Sequence, residues 1–338
     1  MKRIVAQHDP TLVARVVRCT PLLYEAGADP ETERPGHVRA GSSLAPLAGR
    51  IAVVEDDANF VALIAPESRR AAYIRLPAGH EGHRAFDSEH GNKRYKLDLE
   101  ACVMIPGPHG VERLVAFGSG SSREREQIVV LTSSGKAPPG ISVYEAPALY
   151  ALLREEHQYS GSELNMEGAI YLPDGTLRLF QRGNGEPRDG LQPVNATCDL
   201  QWATLWAHLQ NPVEVPPPAP TDIVQYELGN LQGVPLGFSD AELYEDVILF
   251  SASSEESVPE HGDGRVTGST LGVIDDCGAR LGALMEHDGK TFSGKVEGLH
   301  LSPGKPHLVY FIVDADDPDK PSELYEAELS GPWYTRNN

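Results

Sequence analysis

The sequence predicts an all-β fold: a β-propeller of five blades, with six as the alternative count, forming a single domain over residues 1–338. Three observations predict it. A short motif recurs along the chain. Each copy runs into a second strand that ends in a polar turn. The composition is rich in turn formers, with 33 glycines and 27 prolines.

The clearest copies are E-A-C-V-M-I-P (100–106), E-G-A-I-Y-L-P (167–173) and E-G-L-H-L-S-P (297–303). Each begins with Glu, continues with a small residue and an apolar stretch, and closes with Pro. The second strands are LVAF (114–117), LRLFQ (177–181) and LVYFIV (308–313). They end in the tips GSGSS (118–122), RGNG (182–185) and DADD (314–317). A weaker fourth copy, S-D-A-E-L-Y-E-D (239–246), runs through VILF into SASSEES (251–257) and puts Asp240 at the Glu position. A fifth, HVRAGSSLAP (37–46), runs through GRIAVV into EDDANF (55–60) and puts Arg39 near that position. Successive copies lie roughly sixty residues apart, a period that holds about four short strands, as a propeller blade with long loops does.

The remaining segments fit around this frame. TLVARVVRCTPLLYE (11–25) is expected to complete the last blade, closing the ring with strands from both termini and leaving no open edge. APALYALLREEHQ (146–158) reads as the one helix. NATCDLQWATLWAHL (195–209) reads as outer strands of the third blade, or as a degenerate sixth blade. VPPPAP (215–220) reads as a stiff connector.

The repeat directs attention to one end of the molecule. The first strand of a blade lines the channel and the second returns antiparallel. The repeated Glu and the polar tips therefore converge on one rim, where loops held by a rigid scaffold carry function. The rim is expected to hold Arg39, Asp56, Asp57, Asn59, Asp98, Glu100, Ser119, Ser121, Arg123, Asn165, Glu167, Arg182, Asn184, Asp240, Glu255, Lys295, Glu297, Asp314 and Asp316. The loop 79–96 adds His80, His83, Lys93, Arg94 and Lys96. Carboxylates crowded round a narrow channel need a divalent cation, basic partners or shared protons. Oxygen-only donors suit calcium or magnesium.

The expected metal ligands are Glu100, Glu167, Asp240 and Glu297. The expected catalytic residues are Glu167, Glu297 and Arg182. Arg39, Lys96, Asn165, Asn184 and Lys295 are expected to bind a small anionic or polyhydroxyl ligand. The chemistry would be metal-assisted hydrolysis of an ester, lactone or phosphoester. The rival reading is a non-catalytic propeller that presents its loops to a protein partner, its channel closed by a ring of Arg/Lys–Glu ion pairs.

Net charge and motifs exclude several classes. A formal charge of -20 disfavours nucleic acid and anionic membranes. No apolar run reaches transmembrane length, and Gln7, His8, Asp9 and Pro10 break up any secretory core, so a cytoplasmic protein is expected. The four cysteines form no CxxC pair, which leaves reduced thiols rather than a zinc or redox motif. HEGH (80–83) is not HExxH, GSGSS lacks the nucleophile-elbow order, and DADDPD (314–319) lacks the Gly and closing Glu of a calcium loop.

The run from LDLEAC through FGSGSS, LNMEGA, FQRGNG and PSELYEAEL resembles a bacterial family of unknown function with a propeller shape, over most of the chain. More distantly, Glu167-Gly168 and Glu297-Gly298 resemble the Glu-Gly that opens an inner strand in phytase-like and gluconolactonase-type propellers. In the gluconolactonase type that Glu is a channel metal ligand completed by Asn and Asp. The resemblance therefore implies Glu167 or Glu297 as a ligand, with Asn184 or Asp314 nearby. Here the motif recurs in several blades, and Ala101 and Ala241 stand in place of the Gly in two.

Overall fold

The computed structural model describes residues 2–65, 70–135, 137–255 and 266–334. Residues 256 and 257 of the SASSEES tip lie outside them. Two N-terminal strands, β1 (Lys2–Val5) and β2 (Gln7–Pro21), precede five antiparallel meanders. The first contains β3 (Gly41–Leu47), β4 (Arg50–Glu55), β5 (Phe60–Ile64) and β6 (Ala71–Arg75). The second contains β7 (Leu99–Pro106), β8 (Glu112–Gly118), β9 (Gln127–Ser133) and β10 (Gly140–Glu145). Helices α1 (Pro147–Glu155) and α2 (His157–Ser160) lead into the third: β11 (Met166–Tyr171), β12 (Thr176–Gln181), β13 (Asn195–Gln201), helix α3 (Trp202–Gln210) and β14 (Thr221–Glu227). A short β15 (Asn230–Leu231) opens the fourth, β16 (Val234–Tyr244), β17 (Val247–Glu255), β18 (Val266–Asp275) and β19 (Gly278–Met285). The fifth contains β20 (Val296–Leu301), β21 (Leu308–Val313) and β22 (Glu323–Ser330).

The first strands of the meanders neighbour one another in a cycle. β3 contacts β7 and β20, β7 contacts β11, β11 contacts β16, and β16 contacts β20. Each meander turns one face to the next, so apolar side chains alternate between two interfaces. The core is accordingly divided into five clusters between sheets. Phe180, Phe238 and Phe250 meet edge to face between the third and fourth meanders. Leu249, Leu271 and Phe311 fill the space between the fourth and fifth. β2 pairs antiparallel with β22, from Val13 opposite Ser330 to Pro21 opposite Glu323, and parallel with β19 on its other edge. One N-terminal strand thus joins the fourth and fifth meanders into a nine-stranded sheet, while β1 extends the third by pairing with β14.

The structure corrects one expectation about the elements. Residues 195–209 were read wholly as strand; only Asn195–Gln201 is β, and α3 follows. Trp202, Leu205 and Leu209 recur at helical spacing and bury one face, with the Trp202 ring tilted 31° against that of Trp206 at 5.6 Å between centroids. Among the described residues no helix is long and apolar enough to cross a membrane.

The small residue after the repeated Glu has a steric reason. A Cβ on Gly298 would sit 2.7 Å from Ser43 Cα and 3.0 Å from Leu44 N. One on Gly168 would sit 3.2 Å from Ala241 N. Neighbouring first strands cross there with no room between backbones. Gly298→Ala is therefore expected to destabilise the protein by about 1–3 kcal/mol in denaturant unfolding. Gly140→Ala, whose Cβ would meet only Thr132 O at 4.0 Å, is expected to leave the midpoint within error.

Candidate functional site

Every first strand carries a β-bulge near its start. The pairing register jumps between Gly41 and Ser43, Leu99 and Ala101, Met166 and Gly168, Phe238 and Asp240, and Val296 and Gly298. The bulged residues are Ser42, Glu100, Glu167, Ser239 and Glu297. A bulge adds one residue, bends the strand and re-aims a side chain. Three of the five are the repeated Glu. Two expectations about register are corrected here: Ser239 and not Asp240, and Ser42 and not Arg39, occupy the Glu position. The bulge also fixes the neighbouring tip. The backbone N–H groups of Asp56, Ser119 and Arg182 donate to the carbonyls of Ala40, Asp98 and Asn165, each at 2.9 Å. Ala40 and Asp98 adopt φ of 47° and 55° at this junction, a left-handed conformation that non-glycine residues rarely hold.

Asp240 serves another purpose. It is 1% exposed, and its carboxyl accepts from Ser43 Oγ at 3.1 Å, Leu299 N at 3.0 Å and Ala241 N at 2.8 Å. Ser43 Oγ in turn accepts from Cys102 N at 3.0 Å. Asp240 therefore ties the first strands of four meanders together beneath the bulges. Burial pushes its carboxyl well above the usual range. The structure does not bring Asp240 to the other three expected metal ligands, because its oxygens are already taken by these donors.

Above this tie lies a cleft of about 750 Å³, the size class of small-molecule sites. Its two sides are built differently. On the side of the first two meanders, Lys96 Nζ lies 2.6 Å from both Asp56 Oδ2 and Asp98 Oδ1. Arg125 Nη1 lies 3.1 Å from Asp98 Oδ2, and Ser119 donates to Asp98. Arg39 grips Asp57 through Nε at 2.9 Å and Nη2 at 2.5 Å. On the opposite side, Arg182 reaches Glu167 at 3.3 Å and Glu255 at 3.1 Å. Lys295 reaches Glu297 at 2.9 Å and Glu255 at 3.4 Å. Asn165 Nδ2 donates to Glu167 at 2.7 Å and lies 3.4 Å from Asn184 Oδ1.

Glu100 stands between the two sides. No hydrogen bond or ion pair to its carboxyl occurs among the described residues, although it offers an oxygen within 4.8 Å of oxygens of Asp56 and Asp98. Burial, then the charges of Asp56, Asp98 and Glu167, push its carboxyl well above the ordinary range. Burial raises Glu167 to about 7 against the pull of Arg182, and raises Asp57 to about 6. Asp98 moves the other way: Lys96 and Arg125 overcome its burial and hold it ionised. At the foot of the cleft a hollow of about 50 Å³ is lined by Glu100, Glu167, Glu297, Lys295 and Asp56, which is room for one or two waters.

The cleft thus gathers the expected Arg39, Lys96, Glu100, Asn165, Glu167, Arg182, Asn184 and Lys295, with Glu297 at its foot. Of the DADD tip, Asp314 accepts from Ala40 N at 2.9 Å and Ser322 Oγ at 2.8 Å, so it staples the fifth meander to the first. The sequence reading missed Arg125, Asp87 and Glu163 in the lining. Arg125 lies only three residues beyond the end of the GSGSS tip (118–122), but nothing in its local pattern shows that it turns back to Asp98.

The family of unknown function DUF6929 matches residues 37–329, and the chain belongs to it. Among curated proteins no sequence matches. Among solved structures, a GH43 β-1,3-galactosidase aligns at TM-score 0.51 and 11% identity, over 94% of this chain and 60% of that one. Glutaminyl cyclase from Myxococcus xanthus aligns at TM-score 0.48 and 13% identity, over 96% and 99%. A calcium-binding regucalcin from Agrobacterium tumefaciens aligns at 0.38 and 10%, over 95% and 97%. The likeness to the galactosidase concerns the all-β fold and not the chemistry.

Proposed function

We propose that this member of the DUF6929 family is a five-bladed propeller, closed through β2, whose channel-mouth cleft binds an uncharged polyhydroxyl ligand and hydrolyses its ester or lactone bond. The observation that carries this reading is the pair Glu100 and Glu167 flanking the water-sized hollow, with environments that set them to opposite tasks. Glu100, pushed well above the ordinary carboxyl range by burial and by the charges of Asp56, Asp98 and Glu167, is the proton donor. Glu167, at about 7, is half ionised near neutrality and is the base. Glu167 takes a proton from water as the water oxygen bonds to the carbonyl carbon. Glu100 then protonates the leaving oxygen as the carbon–oxygen bond breaks. Arg182 steadies the Glu167 carboxylate, and Lys295 is placed to offset charge on the carbonyl oxygen. Acids outnumber bases about two to one along the cleft, which disfavours a phosphoester or other anion.

A panel of uncharged sugar lactones and acyl sugars tests this. Turnover is expected without added metal, with kcat/KM rising through about pH 7 as Glu167 ionises. Absence of turnover across the panel would sink the reading.

One observation favours a second reading. The oxygens of Asp56, Asp98 and Glu100 lie close enough together to hold a hard cation. Lys96 already sits 2.6 Å from two of them and supplies the positive charge there. A calcium or magnesium ion would have to displace it. If it does, elemental analysis gives one equivalent of metal and chelation lowers Tm; on the first reading chelation leaves Tm unchanged.

A further inference from the structure

Glu167 carries its partners on one oxygen. Oε1 accepts from Asn165 Nδ2 at 2.7 Å and from Arg182 Nη1 at 3.3 Å. Oε2 meets no donor among the described residues, yet it remains open to the cleft. Glu167 also lines the hollow at the foot of the cleft. The carboxyl is thus held by one oxygen and presents the other to any water that stands there. Two donors on the same oxygen fix both the turn of the carboxyl and which oxygen is bare.

Asn165 is itself held in place. Its backbone N–H donates to Gln181 Oε1 at 2.8 Å, and its carbonyl accepts from Arg182 N at 2.9 Å. Gln181 is fully buried, and its Nε2 donates to the carbonyls of Glu163 and Arg182, each at 2.8 Å. One buried amide therefore joins the segment before β11 to the end of β12. The Asn165 amide also has one workable orientation. Its Nδ2 lies 3.4 Å from Asn184 Oδ1, so the reversed amide would turn an oxygen towards two acceptors. The other groups act on Glu167 by charge. Arg182 and Lys295 favour its ionised form, Glu297 and Glu100 oppose it, and Glu255 is tied to both cations. Asn165 is the neutral donor in this set, so replacing it removes a hydrogen bond and leaves the charges where they are.

We infer that Asn165, locked by Gln181, is the positioning residue of Glu167: it holds Oε1 and leaves Oε2 as the oxygen that takes the proton from water. This rests on the hydrolytic reading above and adds to it the atom that acts as base. A donor to the charged form of an acid favours that form, so removing Asn165 Nδ2 makes Glu167 harder to ionise.

The test follows Glu167 and the reaction together. In the whole protein with isotope-labelled Glu carboxyls, the carbon resonance missing from Glu167→Gln marks Glu167, and its titration midpoint is expected at about pH 7. Asn165→Ala is expected to raise that midpoint by about one pH unit or more, and to move the rising limb of kcat/KM by the same amount. Asn165→Asp, which sets an acid where the donor stood, should raise it further. On the acid side of the limb the loss of turnover falls on kcat and leaves KM within about twofold. Asn165→Ser replaces Asn165→Ala if the latter fails to fold. An unmoved midpoint overturns the inference, because a merely structural Asn165 would lower Tm and leave the midpoint alone. A loss carried by KM with the limb in place makes Asn165 a ligand contact, and overturns it too. If the midpoint moves but no ester or lactone is turned over, the hydrolytic reading falls and the placement of Glu167 by Asn165 stands.

Discussion

Glu100→Gln lowers kcat/KM by about 10²–10⁴-fold on any ester or lactone the protein hydrolyses, and leaves Tm unchanged or slightly higher. The direction follows from where the side chain sits. Its carboxyl makes no bond that the fold depends on, and it stands among the charges of Asp56, Asp98 and Glu167. Gln removes the transferable proton but keeps the shape and relieves the crowding of acids. Glu167→Gln should be comparably damaging, yet differ in its pH profile: the limb centred near pH 7 disappears, because the group that titrates there is gone. Glu297→Gln serves as the comparison. Its carboxyl is tied to Lys295 at 2.9 Å, so its loss should disturb ligand affinity more than the proton-transfer limbs. If Glu100→Gln retains wild-type turnover, the proton donor is misassigned, and the Asp56–Asp98–Lys96 side becomes structural.

The second large effect is on stability, and it concerns Glu55, beside Asp56 but turned away from the cleft. Glu55 is fully buried, with one oxygen accepting from the Tyr24 hydroxyl and the other without a partner among the described residues. Burial raises its carboxyl to about 8. The folded protein therefore binds this proton more tightly than the unfolded chain does. Its contribution is fully present below the ordinary carboxylate value of about 4.5 and declines as pH rises towards 8, where the folded state must either keep the proton or bury a charge. Glu55→Gln removes the dependence. The difference in unfolding free energy between variant and wild type is expected to move in the variant's favour by about 2–4 kcal/mol from pH 5 to pH 8. The difference is the quantity to follow, because carboxylates held low, such as Asp98 and Asp87, tilt the whole-protein curve the other way. An offset that is the same at both pH values would show that Glu55 is ionised in the folded protein.

The sequence by itself determined the repeat and where chemistry would gather. A Glu, a small residue and an apolar run repeat because each first strand needs the same bulge, the same close crossing of backbones at positions such as Gly168 and Gly298, and the same two buried faces. Those are local demands, and they leave a local trace. The N-terminal strand beside the C-terminal one was legible for another reason: residues 11–25 precede the first copy of the repeat, and SELYEAELSG (322–331) follows the last copy without enough strands to complete its blade. What only the tertiary structure decided is which acid meets which base. Asp240 and Ser239 are adjacent in sequence, and the bulge alone determines that the serine takes the Glu position while the aspartate bolts neighbouring strands together. Lys96 between Asp56 and Asp98, Arg182 between Glu167 and Glu255, and Tyr24 on Glu55 join residues from separate strands or separate meanders. Their pairing depends on the curvature of the sheets and on angstrom differences in reach, and charge patterning along a chain carries no record of either.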